Sequence, residues 1–332
     1  MKKNKGTFFV DKTYLDDRIF NEEINNKENY RLSKYIEVKK EFERLDVEIH
    51  TQDILPEAES DFTIYLDFLK KPNAKKSYLI VREPPIIIPD NHDPNKLKCF
   101  NKVFTWNDEL IDNKFYIKYY NQSYDFSKVR TFNFSKKKEG YVLICSNKTS
   151  TKSGENYSLR SHIIDFFEDK NYNFDFFGFG WLERRYPNRF VEAFFNRLKI
   201  TRPKNKVYTN YKGEIDDKRA KSSQYLFEFG IENTNNINGY ITEKIFDPLF
   251  SNTIPIYSGS PNISNYIPNE CYINIDNFSN FKKAIEYTES LTDEEIIKFI
   301  KARDRFLESS KSNVFSSQKN AEIITSSILD DL

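Results

Sequence analysis

Short apolar runs alternate with polar loops and helix-periodic segments along the first 135 residues. Six runs of four to seven mostly apolar residues predict buried strands, and one segment with apolar residues at helical spacing predicts a helix between the first two runs. Strands separated in this way favour a parallel sheet with helices on its faces. The runs are residues 7–10, 47–50, 62–68, 77–81, 102–106 and 115–120, and the helical segment is residues 30–45.

A second set of apolar runs follows the polar, lysine-rich segment 135–140, which predicts a solvated linker. This set predicts a second α/β domain, so the fold class is α/β with two Rossmann-like domains. The predicted strands are 141–145, 174–181, 226–231, 254–257 and 272–275, and the predicted helices include the segment around Arg160, residues 281–291, the capping box 292–295 and the tail 313–329. We predict domains at 1–135 and 136–310, and a helical tail, 311–332, that packs back on the first domain.

Residues 229–261 read as strand, polar loop, helix and strand, an order that places a ligand at the carboxyl ends of the strands. Thr242 is the predicted cap of the helix, which leaves Glu243 and Lys244 in its first turn. The positive end of a helix disfavours a lysine unless an anion lies between them, and phosphate is such an anion. Glu243 suits the vicinal hydroxyls of a ribose. The alternative is that the two residues form a solvated pair at a helix start.

Four short motifs in this stretch resemble the donor-binding signature of the 1,3-fucosyltransferase family, which uses GDP-fucose. They are residues 232–234 (Glu-Asn-Thr), 240–245 (Tyr-Ile-Thr-Glu-Lys-Ile), 253–257 (Thr-Ile-Pro-Ile-Tyr) and 259–261 (Gly-Ser-Pro). The chain departs from the family in having Thr234 where a serine is usual and a slightly longer loop after Asn233. The resemblance implies a GT-B fold, in which two Rossmann-like domains face each other across a cleft. It also implies donor binding by Asn233, Tyr240, Glu243 and Lys244.

Two further site residues are implied by the same resemblance. Arg160 matches the arginine that the family places on the donor pyrophosphate, and a planar guanidinium can bind phosphate oxygens in a bidentate manner. Glu83 matches the proposed general base. It follows a predicted strand and precedes two prolines, so it is expected at a carboxyl edge. The alternative is that Arg82 and Glu83 form an ordinary exposed strand end.

The aromatic residues Trp106, Tyr119 and Tyr120 suit an acceptor-sugar site, although aromatic residues as abundant as these more often belong to the core. Metal ligands are not predicted, because no Asp-x-Asp motif follows a strand and the three histidines are dispersed. The cationic side chains and the first-turn N–H groups would then hold the leaving diphosphate. We therefore expect no cofactor beyond the donor substrate.

Composition limits the partners. Lys and Arg number 51 against 50 for Asp and Glu, a net charge of +1, so no global field points to nucleic acid. Three dispersed cysteines favour a reducing compartment. No apolar stretch reaches the ~18 residues of a membrane span and no signal peptide is evident, which predicts a cytoplasmic protein and leaves peripheral membrane association open.

The sequence thus predicts an inverting, metal-independent glycosyltransferase. It would move fucose from GDP-fucose to a hydroxyl of an oligosaccharide or glycoconjugate acceptor, with the 3-OH of an N-acetylglucosamine or glucose unit as the expected target. Only one carboxylate is needed for a single displacement, whereas glycosidases require two. Two alternatives stay open: a related transferase that uses another nucleotide sugar, and a catalytically inactive nucleotide- or glycan-binding protein on the same fold.

Overall fold

A computed structural model describes residues 4–27, 31–124, 126, 138–170, 172–186, 189–198, 200 and 202–332. The chain divides into two compact units, and neither is a single continuous segment. Unit 1 comprises Met1–Val129, Asn238–Ile241 and Leu307–Leu332, and unit 2 comprises Arg130–Ile237 and Thr242–Phe306.

Unit 1 is built on a six-stranded parallel sheet in the order β2-β1-β3-β4-β5-β6. Helices cover its faces, and so every residue of β3 and β4 is buried. The strands are β1 (Asn4–Phe9), β2 (Val47–Thr51), β3 (Phe62–Leu66), β4 (Ser77–Ile80), β5 (Lys102–Thr105) and β6 (Tyr116–Lys118), and the first three helices are α1 (Glu22–Lys27), α2 (Ser33–Arg44) and α3 (Pro94–Leu97).

The last helix of the chain, α10 (Ser317–Leu329), also belongs to unit 1. Its Ile324 and Ile328 are fully buried and lie in one apolar cluster with Val38 and Phe42 of α2. These residues recur at helical spacing on both helices, so each helix buries one face against its partner. Packing between distant parts of the sequence therefore completes the core of this unit.

Unit 2 is built on a five-stranded parallel sheet in the order β11-β10-β9-β7-β8. The strand β9 lies at the centre and is followed by the loop and helix that carry the predicted donor motif. The strands are β7 (Lys138–Ile144), β8 (Phe174–Phe177), β9 (Tyr225–Ile231), β10 (Ile254–Ser258) and β11 (Ile273–Asn274), and the helices are α4 (Tyr157–Glu168), α5 (Arg189–Leu198), α6 (Lys218–Ser222), α7 (Glu243–Phe250), α8 (Phe281–Glu289) and α9 (Asp293–Leu307).

The predicted α/β fold class is confirmed, and each predicted strand overlaps an observed one. The predicted linker is wrong at its end, because β7 begins at Lys138, which pairs with Tyr225, whereas residues 135–137 lie outside the described residues. The register shifts between Lys138 and Tyr141, and Gly140 takes φ +113° there, a value that other residues rarely adopt. The predicted strand 174–181 ends at Phe177, because Gly178 turns the chain with φ +137°.

None of the described helices combines the length and the apolar character needed to cross a bilayer.

Candidate functional site

Most polar side chains of the predicted donor motif lie at the carboxyl edge of the sheet in unit 2. Parallel strands end at one edge of their sheet, and the helices that precede or follow them begin at that edge. The strands β7 and β9 end there at Ile144 and Ile231, and α4 and α7 contribute residues close to their first turns. This edge therefore concentrates the backbone N–H groups of two helix starts together with the polar side chains near them.

Glu232, the residue directly after β9, fixes the start of α7. Its carboxylate is 1% exposed and accepts hydrogen bonds from the backbone N–H of Thr242 (2.8 Å) and from its hydroxyl (2.6 Å). The Thr242 oxygen in turn accepts from the N–H of Lys244 at 3.3 Å, so the predicted cap is confirmed. A buried carboxyl group that accepts from two donors is well satisfied, and it ties the strand end to the helix start across ten residues of sequence.

Glu243 and Lys244 project from the first turn of α7 and form an ion pair. The ammonium nitrogen of Lys244 lies 3.7 Å from Glu243 Oε1 and 3.3 Å from the carbonyl oxygen of Ile144. Burial lowers the pKa of Lys244, since it disfavours the charged form. Burial opposes ionisation of Glu243 as well, but the positive charges of Lys244 and Lys218 outweigh it and lower the pKa of this carboxyl to about 2.

The two glutamates at this edge therefore differ in protonation. Burial, followed by the negative charge of Glu243, raises the pKa of Glu232 to about 8. Two neighbouring carboxyl groups cannot both ionise cheaply when one of them is buried, and here the half-exposed one beside the lysines takes the charge. At neutral pH the site holds one ionised carboxylate, Glu243, and one carboxyl group, Glu232, that is mostly protonated.

Arg160 and Asn233 are brought together by α4. The guanidinium of Arg160 is 4% exposed and donates through Nη2 to the carbonyl oxygen of Ile231 (2.6 Å) and to Asn233 Oδ1 (3.0 Å). Its Nε has no hydrogen-bond partner among the described residues. The backbone N–H of Asn156, just before α4, donates to the carbonyl oxygen of Asn233 at 3.0 Å. Arg160 thus places a buried positive charge at the end of β9 and still has donor capacity left.

Lys218 is a cation of this site that sequence reasoning left out. It is the first residue of α6, it is partly buried, and its charge acts on Glu243, Lys244 and Cys145. A signal for it exists in the sequence: Asp217 caps α6, accepting from the N–H of Ala220, and α6 leads directly into β9. A helix that precedes a strand of a parallel sheet begins at the edge where the strands end.

Tyr240 belongs to unit 1, unlike the other predicted donor residues. It is 2% exposed, and its ring lies 4.7 Å from that of Trp106. The preceding Gly239 takes φ +81°, and a side chain there would come within 2.2 Å of the Trp106 carbonyl oxygen. Trp106 and Tyr119 are fully buried, which agrees with the core alternative, whereas Tyr120 is partly exposed.

Glu83 lies in unit 1 at the carboxyl edge of its sheet, just after β4, and is partly exposed. Its backbone is held firmly: the N–H donates to Asp67 Oδ1 at 3.1 Å, and the carbonyl oxygen lies 2.9 Å from His92 Nε2. Asp67 is fully buried and also accepts from Arg82 Nε at 2.9 Å. This network fixes the position from which the Glu83 side chain starts.

A metal site is not evident in the part of the chain that the structure describes. No three histidine, cysteine, aspartate or glutamate side chains there are grouped so that they could hold a metal ion. The charged groups at the edge of unit 2 are instead three cations, Arg160, Lys218 and Lys244, with the two glutamates. The excess of positive charge in this set suits an anion.

The family model of glycosyltransferase family 10 (fucosyltransferase), C-terminal part, matches residues 184–321. This match confirms the predicted resemblance to the 1,3-fucosyltransferases. The alpha-(1,3)-fucosyltransferase FucT of Helicobacter pylori is 43% identical over 77 residues, which are 23% of this chain and 16% of that protein. The match therefore spans about a sixth of the length of this relative.

Solved structures match nearly the whole chain at low sequence identity. An alpha1,3-fucosyltransferase crystallised with GDP-fucose has a TM-score of 0.59 and 20% identity, over 99% of this chain and 91% of that one. A DNA-modifying β-glucosyltransferase has a TM-score of 0.61 and 14% identity, over 98% and 99%. At these identities the likeness concerns the fold, and it confirms the GT-B class.

The raised pKa of Glu232 predicts a pH dependence of stability in the ligand-free protein. An acid whose pKa rises from 4.5 when unfolded to about 8 when folded binds more protons in the native state between these values, so the free energy of unfolding falls as pH rises through this window. Glu232→Gln resembles the protonated carboxyl and should show a shallower fall from pH 5 to 8, measured by urea unfolding. Glu228, whose pKa is raised to about 7, is common to both proteins. The exposed Glu286→Gln is the control, and parallel curves for wild type and Glu232→Gln would contradict the assignment.

Proposed function

We propose that this chain, whose residues 184–321 match glycosyltransferase family 10, transfers fucose from GDP-fucose to a hydroxyl of a glycan acceptor. The observation that carries the proposal is the cation cluster Arg160, Lys218 and Lys244 at the carboxyl edge of unit 2, beside a helix start whose orientation Glu232 fixes. The family match and the solved alpha1,3-fucosyltransferase with GDP-fucose support fucose as the transferred sugar.

The charge balance of the site favours a diphosphate. Three positive side chains face one ionised carboxylate, because Glu232 is mostly protonated at neutral pH. Like charges that are partly removed from water repel one another strongly, and the lowered pKa of Lys244 reflects the burial that makes this costly. An anionic diphosphate would relieve the repulsion. The first-turn N–H groups of α7 add further donors for it.

Glu243 is proposed as the ribose ligand of the donor. Its pKa is lowered, so it is a carboxylate at neutral pH, and an ionised carboxylate can accept hydrogen bonds from two vicinal hydroxyls. Glu243 and Lys244 are adjacent in sequence, and the ribose and the diphosphate that they would bind are adjacent in the donor. Asn233, held by Arg160, and Tyr240 complete the proposed donor-binding residues.

The proposed transfer is a single displacement that inverts the anomeric carbon. Glu83 takes the proton of the acceptor hydroxyl, the acceptor oxygen forms a bond to the anomeric carbon, and the bond to the diphosphate oxygen breaks. GDP leaves with the charge of the broken bond, and the cations stabilise that charge without a metal ion. The proposed acceptor group is the 3-OH of an N-acetylglucosamine or glucose unit.

A panel of nucleotide sugars separates this proposal from its alternatives. Release of nucleoside diphosphate is measured for GDP-fucose, GDP-mannose, UDP-glucose and UDP-galactose with lactosamine-type and other acceptors, with and without a chelator. We expect acceptor-dependent release from GDP-fucose that the chelator leaves unchanged. Turnover of only another donor would establish the related transferase, and binding of GDP without any turnover would establish an inactive binding protein.

Loss of the Lys244 ammonium should weaken donor binding. A charge-assisted hydrogen bond contributes about 1.5–3 kcal/mol, so Lys244→Ala should raise the Kd for GDP by about 10- to 100-fold in isothermal titration calorimetry. The matched control is Lys170→Ala, an exposed lysine beyond the carboxyl end of α4 and so at the opposite edge of the sheet. Equal affinities of the two variants would remove Lys244 from the donor site.

Replacement of Glu83 should separate chemistry from binding. Glu83→Gln keeps the size of the side chain but cannot accept the acceptor proton, so kcat should fall by ~100-fold or more. The Kd for GDP should stay that of the wild type, and the exposed Glu59→Gln should change neither quantity. Full turnover by Glu83→Gln would rule out its role as the base.

A further inference from the structure

Exposed apolar side chains are concentrated in one short stretch of unit 2. Among the described residues, fourteen large apolar side chains are exposed, and seven of them fall between residues 179 and 207. A folded domain usually scatters such side chains singly, and a cluster marks an interaction surface. The seven are Phe179 (62%), Leu182 (72%), Val191 (36%), Phe194 (54%), Leu198 (52%), Ile200 (47%) and Val207 (90%).

Three of these side chains form a stripe along α5. Val191, Phe194 and Leu198 are three and four residues apart, so they lie on one face of the helix. A further residue of α5, Phe195, contacts the chain segment that precedes the helix. Its ring stacks parallel to that of Tyr186 with centroids 5.7 Å apart. Arg202 covers Phe195 at 5.8 Å. Phe195 is four residues after Val191 and three before Leu198, so it borders the stripe; its contacts cover that edge, and Phe194 and Leu198 stay exposed.

The same stretch has a large excess of basic over acidic residues. Residues 182–207 contain eight Lys or Arg and two Glu, a net charge of +6, whereas the whole chain has +1 and the remainder therefore −5. Arg184, Arg197 and Lys204 are exposed. Glu183, one of the two glutamates, pairs with Arg185 (3.5 Å) and Arg202 (3.4 Å).

We infer that the described side chains exposed between residues 182 and 207, chiefly Phe194 and Leu198 with the basic residues near them in sequence, bind an anionic lipid surface. Apolar side chains on one face of a helix, flanked by basic residues, are the features of segments that lie in the interface of a bilayer. Phe194 and Leu198 would enter the headgroup region, and the surrounding Arg and Lys would attract the negatively charged lipids. The helix lies along the membrane plane and does not span it.

Other occupants explain these features less well. A nucleic-acid duplex is bound mostly through its phosphates by basic and polar groups, and a stripe of Phe, Leu and Val makes no contact of that kind. A second copy of the same face would bring two surfaces of charge +6 together, which repel each other at moderate salt. An anionic bilayer satisfies both the charge and the apolar stripe.

The inference is tested by flotation of the full chain with vesicles at several salt concentrations. Vesicles of phosphatidylcholine with about 30% phosphatidylglycerol should bind the protein at least about 10-fold more tightly than pure phosphatidylcholine, and binding should weaken as salt screens the charges. The double variant Phe194→Ser with Leu198→Ser should lose at least about 10-fold of this affinity. The control is Leu45→Ser with Ile54→Ser, two residues of similar exposure in unit 1 (48% and 47%), which should bind like wild type.

Further measurements distinguish a lipid surface from a nucleic acid and from a second copy of the chain. Circular dichroism of each variant reports whether it is folded, and Arg197→Gln with Lys204→Gln, which removes charge and leaves the apolar stripe, should also weaken binding to the anionic vesicles. Equal loss in both serine double variants would overturn the inference. So would binding to duplex DNA without binding to vesicles, or a dimer that only the Phe194 and Leu198 variant dissociates in analytical ultracentrifugation. Vesicle binding is read without any sugar transfer, so the result is independent of the proposed activity.

Discussion

The hydrogen bonds between Glu232 and Thr242 are the constraint on which the rest of the site depends. The loop that separates these residues passes through unit 1, and only at Thr242 does the chain rejoin unit 2. A carboxyl group buried to 1% exposure at the end of the central strand meets both the N–H and the hydroxyl of the residue that caps α7. Because the side chains of the first turn follow the direction of the helix start, this contact decides where Glu243 and Lys244 point.

Positive side chains that lie close together repel one another when no ligand is present, so the protein must offset that repulsion to stay folded. Here the protein does so with partial compensation: Glu243 pairs with Lys244, backbone carbonyl oxygens accept from Lys244 and Arg160, and Glu232 stays mostly neutral. A second ionised carboxylate would reduce the excess of positive charge, with two carboxylates against three cations, and so weaken the attraction for an anion. We therefore expect the raised pKa of Glu232 to strengthen the attraction of the proposed site for a diphosphate.

Local sequence was sufficient for the strands, the cap of α7 and the fold class, since each depends on the period of apolar residues or on one capping side chain. The cap also placed Glu243 and Lys244 in the first turn of α7, whereas Arg160 came from the family resemblance, and the roles of all three in donor binding stay predictions. Local sequence was not sufficient for Lys218, whose position depends on the direction of a short helix, or for the contact of Tyr240 with Trp106, which joins residues 134 positions apart. The protonation of Glu232 depends on burial, and burial is a property of the folded chain.

Net charge can conceal the partner of a protein when opposite charges lie in different parts of the chain. A total of +1 argues against a global attraction to polyanions, yet residues 182–207 alone carry +6. Over the Debye length of about 8 Å at physiological salt, a surface responds to its local charge and not to the sum over the molecule. The rim of positive charge has a second effect: it keeps an exposed apolar stripe from pairing with another copy of itself while leaving it available to a negatively charged surface. A basic apolar helix on a nearly neutral protein is thus selective by sign, since the same charges that repel a second copy attract an anionic lipid.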